Sequence, residues 1–141
     1  MAAPRIAITA GEPAGIGIDL CCRLSQQDFP AQLLVIADAD VIQARAQQLD
    51  IAIDIVRHTD KSALVTHSPG QLHVLHMPCP AKVRPGQLNP ANGAYVVDTL
   101  TTAAMGCIQG SFDAIATAPV HKGVINEAGI PFGGPTVLFG E

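Results

Sequence analysis

Five of the six residues from Gln32 to Ala37 (QLLVIA) are apolar and consecutive, with no alternation between polar and apolar positions. A strand with one face in water alternates with a period of two, whereas a strand apolar on both sides must be covered on both sides. Six residues suit a strand and fall short of a buried helix. This one run therefore demands a sheet sandwiched between helices, the arrangement of parallel α/β proteins.

The remaining segments fit that demand. Arg5 to Ala10 (RIAITA) is a β-rich run that stops at Gly11, and Gly17 to Gln27 carries Ile18, Cys21, Cys22 and Leu24 at near-helical spacing. After Ala37, Asp38 and Asp40 are candidate N-caps of a helix reaching about Leu49. Ile51 to Val56 and Gln71 to Met77 read as strands separated by a polar stretch that holds Asp60, Lys61, Ser68, Pro69 and Gly70. Pro78, Pro80 and Pro85 stiffen the connection to Gln87. The clearest helix follows, with Asn89 as N-cap, Pro90 first, and Gly110 as its stop. Its predicted apolar stripe is Val96, Val97, Leu100, Ala104, Cys107 and Ile108. Asp113 to Ala118 (DAIATA) reads as a buried strand. The predicted class is α/β, a mainly parallel sheet flanked by helices with right-handed crossovers, whose ligands bind beyond the carboxyl ends of the strands. No internal repeat or linker divides residues 1–141.

Composition narrows the function. The net charge is −4 and the eight Lys and Arg are scattered singly, so no basic footprint for nucleic acid exists. No apolar run approaches the roughly 20 residues of a membrane span, and Ile6-Ala7-Ile8 is too short for a signal-peptide core. A cytoplasmic protein is expected. With 48% apolar and only 14% charged residues, part of the surface is expected to meet another subunit or another part of a larger protein. Cys21, Cys22, Cys79 and Cys107 form no Cys-x-x-Cys pair and read as free, mostly buried thiols.

Two segments fall at the ligand edge of the predicted sheet. Gly11-Glu12-Pro13-Ala14-Gly15-Ile16-Gly17 joins a strand to a helix, where backbone N–H groups and the helix dipole favour an anion or polar ligand. Its spacing is G-x-x-x-G-x-G, not the dinucleotide fingerprint, and Pro13 removes one N–H. Asp38 stands where a ribose ligand would, although a helix cap is the commoner role. Glu12 either orients a hydroxyl or cofactor amide, or is a solvated loop residue; the residues alone leave both open. His121 and Lys122, directly after a predicted strand, suit a phosphate or carboxylate, or form an exposed basic pair. His73 and His76, three apart in a strand, point to opposite faces and make no metal pair, while His58 and His67 are expected to be solvated.

Three stretches then carry a resemblance: ITAGEPAGIGIDL (Ile8 to Leu20), PGQLNPANGAYVVDTL (Pro85 to Leu100) and GCIQGSFDAIATAPVHKGVINEAGIPF (Gly106 to Phe132). Together they resemble the 4-hydroxythreonine-4-phosphate dehydrogenase family of pyridoxal phosphate biosynthesis. The resemblance implies the isocitrate and isopropylmalate dehydrogenase type of α/β fold, which binds NAD without the ordinary Rossmann fingerprint. It implies a homodimer that uses NAD or NADP and a divalent metal (zinc, magnesium or cobalt) to oxidise and decarboxylate 4-phosphooxy-L-threonine to 3-amino-2-oxopropyl phosphate. It makes residues 1–141 the amino-terminal portion of a two-domain enzyme whose metal ligands, NAD contacts and most phosphate contacts follow Glu141. The isolated chain is accordingly expected to be inactive, with Glu12 a candidate cofactor contact. The family's Gly-His-Thr-Glu motif, whose His and Thr contact substrate, corresponds to Gly134-Pro135-Thr136-Val137. Thr136 matches, but Pro135 takes the place of the histidine and can neither donate to substrate nor exchange a proton. Two other readings stay open: a non-catalytic binding or structural module of the same half-fold, and a dehydrogenase of another phosphorylated hydroxy acid.

Overall fold

A computed structural model describes residues 3–59 and 66–118. Its elements are β1 (Arg5–Thr9), α1 (Ile16–Leu24), β2 (Gln32–Ala37), α2 (Ala39–Gln48), β3 (Asp54–His58), β4 (Gln71–His76), a 3-10 turn (Pro90–Asn92), α3 (Gly93–Ile108) and β5 (Ala114–Thr117). The five strands form one sheet in the order β3-β4-β2-β1-β5, and every neighbouring pair is parallel. All strand carboxyl ends therefore emerge along one edge.

β2 is buried on both faces, as its unbroken apolar run requires. Val35 and Ala37 pack with Ile18, Cys21, Cys22 and Ile42 of α1 and α2 on one side. On the other side Leu34 and Ile36 pack with Ala7, Leu75, Ala103 and Phe112, under α3. Burying each large aliphatic side chain this completely stabilises the fold by about 1.5 to 3 kcal/mol.

Three predicted boundaries or faces shift. The third strand starts at Asp54 and not at Ile51, because Asp50 adopts a positive φ of 59° and the Ile51 N–H closes α2 on the Ala46 carbonyl at 2.9 Å. Ile51 and Ile53 then pack against the α1–α2 core as connecting residues. Asn89 caps the 3-10 turn through the Ala91 N–H, and α3 follows with a rotated face. Tyr95, Val96, Thr99, Leu100, Ala103 and Gly106 are buried, while Ile108 is 78% exposed. The reason lies in Gly106, where an added Cβ would stand 2.2 Å from the Phe112 ring: the chain folds back under this glycine to reach β5. The helix stops at Gly110, which takes φ 81° as expected. Finally, β5 is not a buried strand. It lies at the sheet margin with Ala114, Ala116 and Thr117 exposed.

The histidines also need correction. His67 is buried, with a ring nitrogen 2.7 Å from the Gln27 carbonyl, and its ring contacts Phe29. His58 ends β3, half-buried, and pairs with His73. Neither is solvated, because each finds a polar partner far away in the chain. Cys21 and Cys22 are buried and Cys79 and Cys107 half-buried, all as free thiols. Among the described residues no helix is long and apolar enough to cross a membrane.

Candidate functional site

The carboxyl edge of the sheet gathers the loop after β1, Asp38 after β2, the turn after β4 and the start of α3. Asp38 organises this edge. Its Oδ1 accepts from the N–H groups of Asp40 (2.9 Å) and Val41 (3.4 Å), capping α2, and its Oδ2 accepts from the Cys79 N–H at 2.8 Å. Its own N–H donates to the Tyr95 hydroxyl at 2.8 Å. One carboxylate thus ties β2, α2, the post-β4 turn and α3 together, and the helix-cap role holds over the ribose role.

Glu12 is only 5% exposed, which removes the solvated-loop alternative. Its Oε1 accepts from the Ala14 N–H at 3.3 Å and its carbonyl accepts from the Gly15 N–H at 2.9 Å. The charges of Asp38 and, more weakly, Glu12 reach the Cys79 thiol, which burial first of all pushes up to about 12. Burial likewise raises the Tyr95 phenol, and the neighbouring Cys79 adds to the effect. At neutral pH the centre of this edge therefore holds a neutral thiol and a neutral phenol, both able to act as donors. A groove of about 440 Å³ opens beside it, lined by His76, Met77, Pro78, Pro80, Tyr95 and Asp98. Two carboxylates and two neutral donors suit the hydroxyl and amide groups of a ligand better than its phosphates.

The glycine loop is held from within. Arg45, on α2 and with its side chain 6% exposed, donates from Nη1 to the Gly15 carbonyl (3.2 Å) and from Nη2 to the Pro13 carbonyl (3.2 Å), and it pairs with Asp19. Nothing in the sequence singles out this arginine, since a lone Arg on an amphipathic helix usually lies in water. Gly17 is required by packing: a Cβ there would sit 1.8 Å from the Ala10 carbonyl oxygen and 2.8 Å from the Ala118 Cβ. The Ala14 and Gly15 N–H groups are used by Glu12, so this loop does not fit a phosphate cradle.

Among the described residues, Asp38, Asp40 and His76 place ligand atoms within 4.8 Å of one another, and all three also make bonds within the fold. Both Asp38 oxygens are taken by backbone N–H groups, Asp40 pairs with Arg57, and His76 Nδ1 accepts the Ala39 N–H at 3.1 Å. Each of the three side chains thus already serves a bond of the fold. His121, Lys122, Pro135 and Thr136 lie outside the described residues.

The family model for the pyridoxal phosphate biosynthetic protein PdxA matches residues 30–141. The chain is 51% identical, over its full 141 residues, to a 4-hydroxythreonine-4-phosphate dehydrogenase of Vibrio cholerae, and covers 43% of that protein. It is 52% identical over 139 residues to the one of Pseudomonas aeruginosa, covering 42% of it. Among solved structures, the 4-hydroxythreonine-4-phosphate dehydrogenases of Burkholderia phymatum and Klebsiella pneumoniae superpose with TM-scores of 0.84 and 0.85 at 26% and 25% identity. They are matched over 97% and 96% of this chain and 42% and 43% of theirs. The chain spans less than half the length of the relatives it matches. A parallel α/β sheet, an edge organised by Asp38 and identity sustained along the whole chain lead to one assignment: this chain belongs to the PdxA family of pyridoxal phosphate biosynthetic proteins.

Proposed function

We propose that residues 1–141 are the amino-terminal portion of a two-domain 4-hydroxythreonine-4-phosphate dehydrogenase. The complete enzyme oxidises the C3 hydroxyl of 4-phosphooxy-L-threonine with NAD or NADP, and the β-keto acid formed loses CO₂ to give 3-amino-2-oxopropyl phosphate. The observation that carries this is identity of about half the residues, along the whole chain, with relatives of that name. The divalent metal is assigned to residues after Glu141, as the family resemblance implies. In the complete cytoplasmic homodimer, His121 and Lys122 face the phosphorylated substrate, Thr136 contacts it, and Glu12 orients a polar group of the cofactor. Pro135 occupies the position of a substrate-binding histidine. Hydride transfer needs substrate, nicotinamide and metal held in one closed site, so this part alone has no turnover.

The test has two arms. The purified chain, given 4-phosphooxy-L-threonine, NAD or NADP and zinc, magnesium or cobalt, should reduce no nucleotide above the blank. The same residues, substituted for the corresponding segment of the Vibrio cholerae relative, should restore turnover. In that chimera Pro135→His should raise kcat/KM roughly tenfold or more, the value of one positioned hydrogen bond. A folded chimera that stays inactive with histidine at 135 would sink the proposal.

A further inference from the structure

β3 lies at the margin of the sheet and none of its five residues is buried. Among the described residues two side-chain bonds tie it to its neighbours: Arg57 pairs with Asp40 of α2, and His58 Nε2 lies 2.7 Å from Nδ1 of His73 on β4. β3 and β4 are parallel, with Val56 opposite His73 and His58 opposite Leu75, so both imidazoles belong to one face of the sheet. α3 packs mainly on β1, β2 and β5 and leaves the His58 end of this face half-exposed, while His73 is only 8% exposed.

The proton positions follow from the neighbours. His73 Nε2 is 3.2 Å from Gln71 Oε1, and an amide oxygen only accepts, so His73 carries its proton on Nε2 and its Nδ1 accepts from His58 Nε2–H. One added proton leaves this bond intact, since an imidazolium and an imidazole still share one hydrogen between them. A second does not fit: two N–H groups would face each other across 2.7 Å, and two positive charges would stand side by side. Burial first of all, then the charges of His58 and of His67 just before β4, hold the His73 imidazole below its ordinary value, with Asp54 of β3 acting the other way. Asp98, the one charged residue of α3, lines the groove beside His76 instead.

We propose that the His58–His73 bond is an acid-sensitive latch on β3: it stays closed while the two rings carry at most one added proton, and it opens, releasing β3 locally from β4, when both rings become charged. With β3 released, each imidazole takes up its own proton at about pH 6.5. The latched strand binds one proton fewer, so its hold is complete above about pH 7 and is lost as the pH falls through 6 toward 5. The opening is local because β3 gives the core only the half-buried Ile55, whereas β1, β2 and β4 each bury residues in it. Release also takes Arg57 from Asp40, at the start of α2 beside the Asp38 cap.

Hydrogen–deuterium exchange of the purified chain at about pH 7.5, 6 and 5, each rate divided by the intrinsic rate at that pH, reads this opening segment by segment. Protection of residues 54–58 should fall by about tenfold or more between the highest and lowest pH, as a difference of one bound proton demands, while that of β1 and β2 should change by less than about threefold. His73→Gln keeps an acceptor for His58 Nε2–H but no buried charge, and should abolish the acid loss. His58→Gln keeps a donor toward His73 Nδ1 and should cut the loss to about threefold or less. Should His73→Gln fail to fold, His58→Gln carries the test alone, since His58 is half-exposed at a strand end. Unchanged β3 protection at the lowest pH in the parent, an equal loss in folded His58→Gln, or a parallel loss in β1 and β2 would each overturn the latch.

Discussion

Replacing Gly17 by alanine adds one methyl group at the closest approach between α1 and the end of β1. The new Cβ would meet the Ala10 carbonyl oxygen at 1.8 Å and the Ala118 Cβ at 2.8 Å. Both obstacles belong to the main chain or lie directly on it, so no side-chain rotation relieves them. The Ala118 N–H also donates to the Thr9 carbonyl at 2.9 Å, which pins that segment to β1. Relief therefore requires α1 to move outward by more than 1 Å, loosening Ile18, Cys21 and Cys22 from the sheet. Overpacking of this kind costs about 1 to 3 kcal/mol, and the loosened core adds to it. The better helix propensity of alanine returns up to about 1 kcal/mol. A net loss of about 2 to 3 kcal/mol corresponds to a fall in Tm of roughly 6 to 10 °C for a domain of this size. Gly70→Ala is the control: φ is 85° there with nothing near the added Cβ, so only the conformational cost of about 1 kcal/mol is expected. Urea and thermal melts of both variants against the parent measure the difference. A Gly17→Ala variant melting within about 2 °C of the parent would refute the argument that packing, and not ligand contact, demands this glycine.

Three further outcomes are expected. Arg45→Met leaves the Pro13 and Gly15 carbonyls without their donor and should cost about 2 to 4 kcal/mol in urea unfolding, well above the cost of an exposed arginine. Asp38→Ala removes the α2 cap and the Cys79 tie together, for about 2 to 3 kcal/mol, whereas Asp38→Asn keeps an acceptor and should lose about 1 kcal/mol. Burial raises the Cys21 and Cys79 thiols to about 12, so the folded chain keeps protons that the unfolded chain releases near pH 9. This contribution to stability is complete below about pH 8.5 and is lost as the pH climbs toward 12. A pH series of melts should show that decline, shallower in Cys79→Ala, and both thiols should resist alkylation at pH 8 until denaturant is added.

Where a single stretch of chain carries its own periodicity, its fate was decided locally. The QLLVIA run is a strand covered on both faces, Asp38 caps the helix that follows it, and Gly110 ends α3 in a left-handed conformation, all as the residues themselves dictate. The parallel α/β class follows from such local signals, because hydrophobic period and capping chemistry act within a few residues. The face that α3 buries was not so decided. It depends on Phe112 turning back beneath Gly106, a contact made only once the chain reverses into β5. The polar residues divide in the same way. Arg45, His58 and His67 look solvated in isolation, and the residues alone leave Glu12 open, yet all four are buried or half-buried; the first three meet partners that tertiary folding brings up, loop carbonyls for Arg45 and His67 and a facing strand for His58. Burying a polar group is unfavourable until its hydrogen bonds are supplied, and those of Arg45, His58 and His67 come from residues far along the chain. Local sequence thus determined which segments became strands and helices, and the assembled sheet alone decided which charges could leave water.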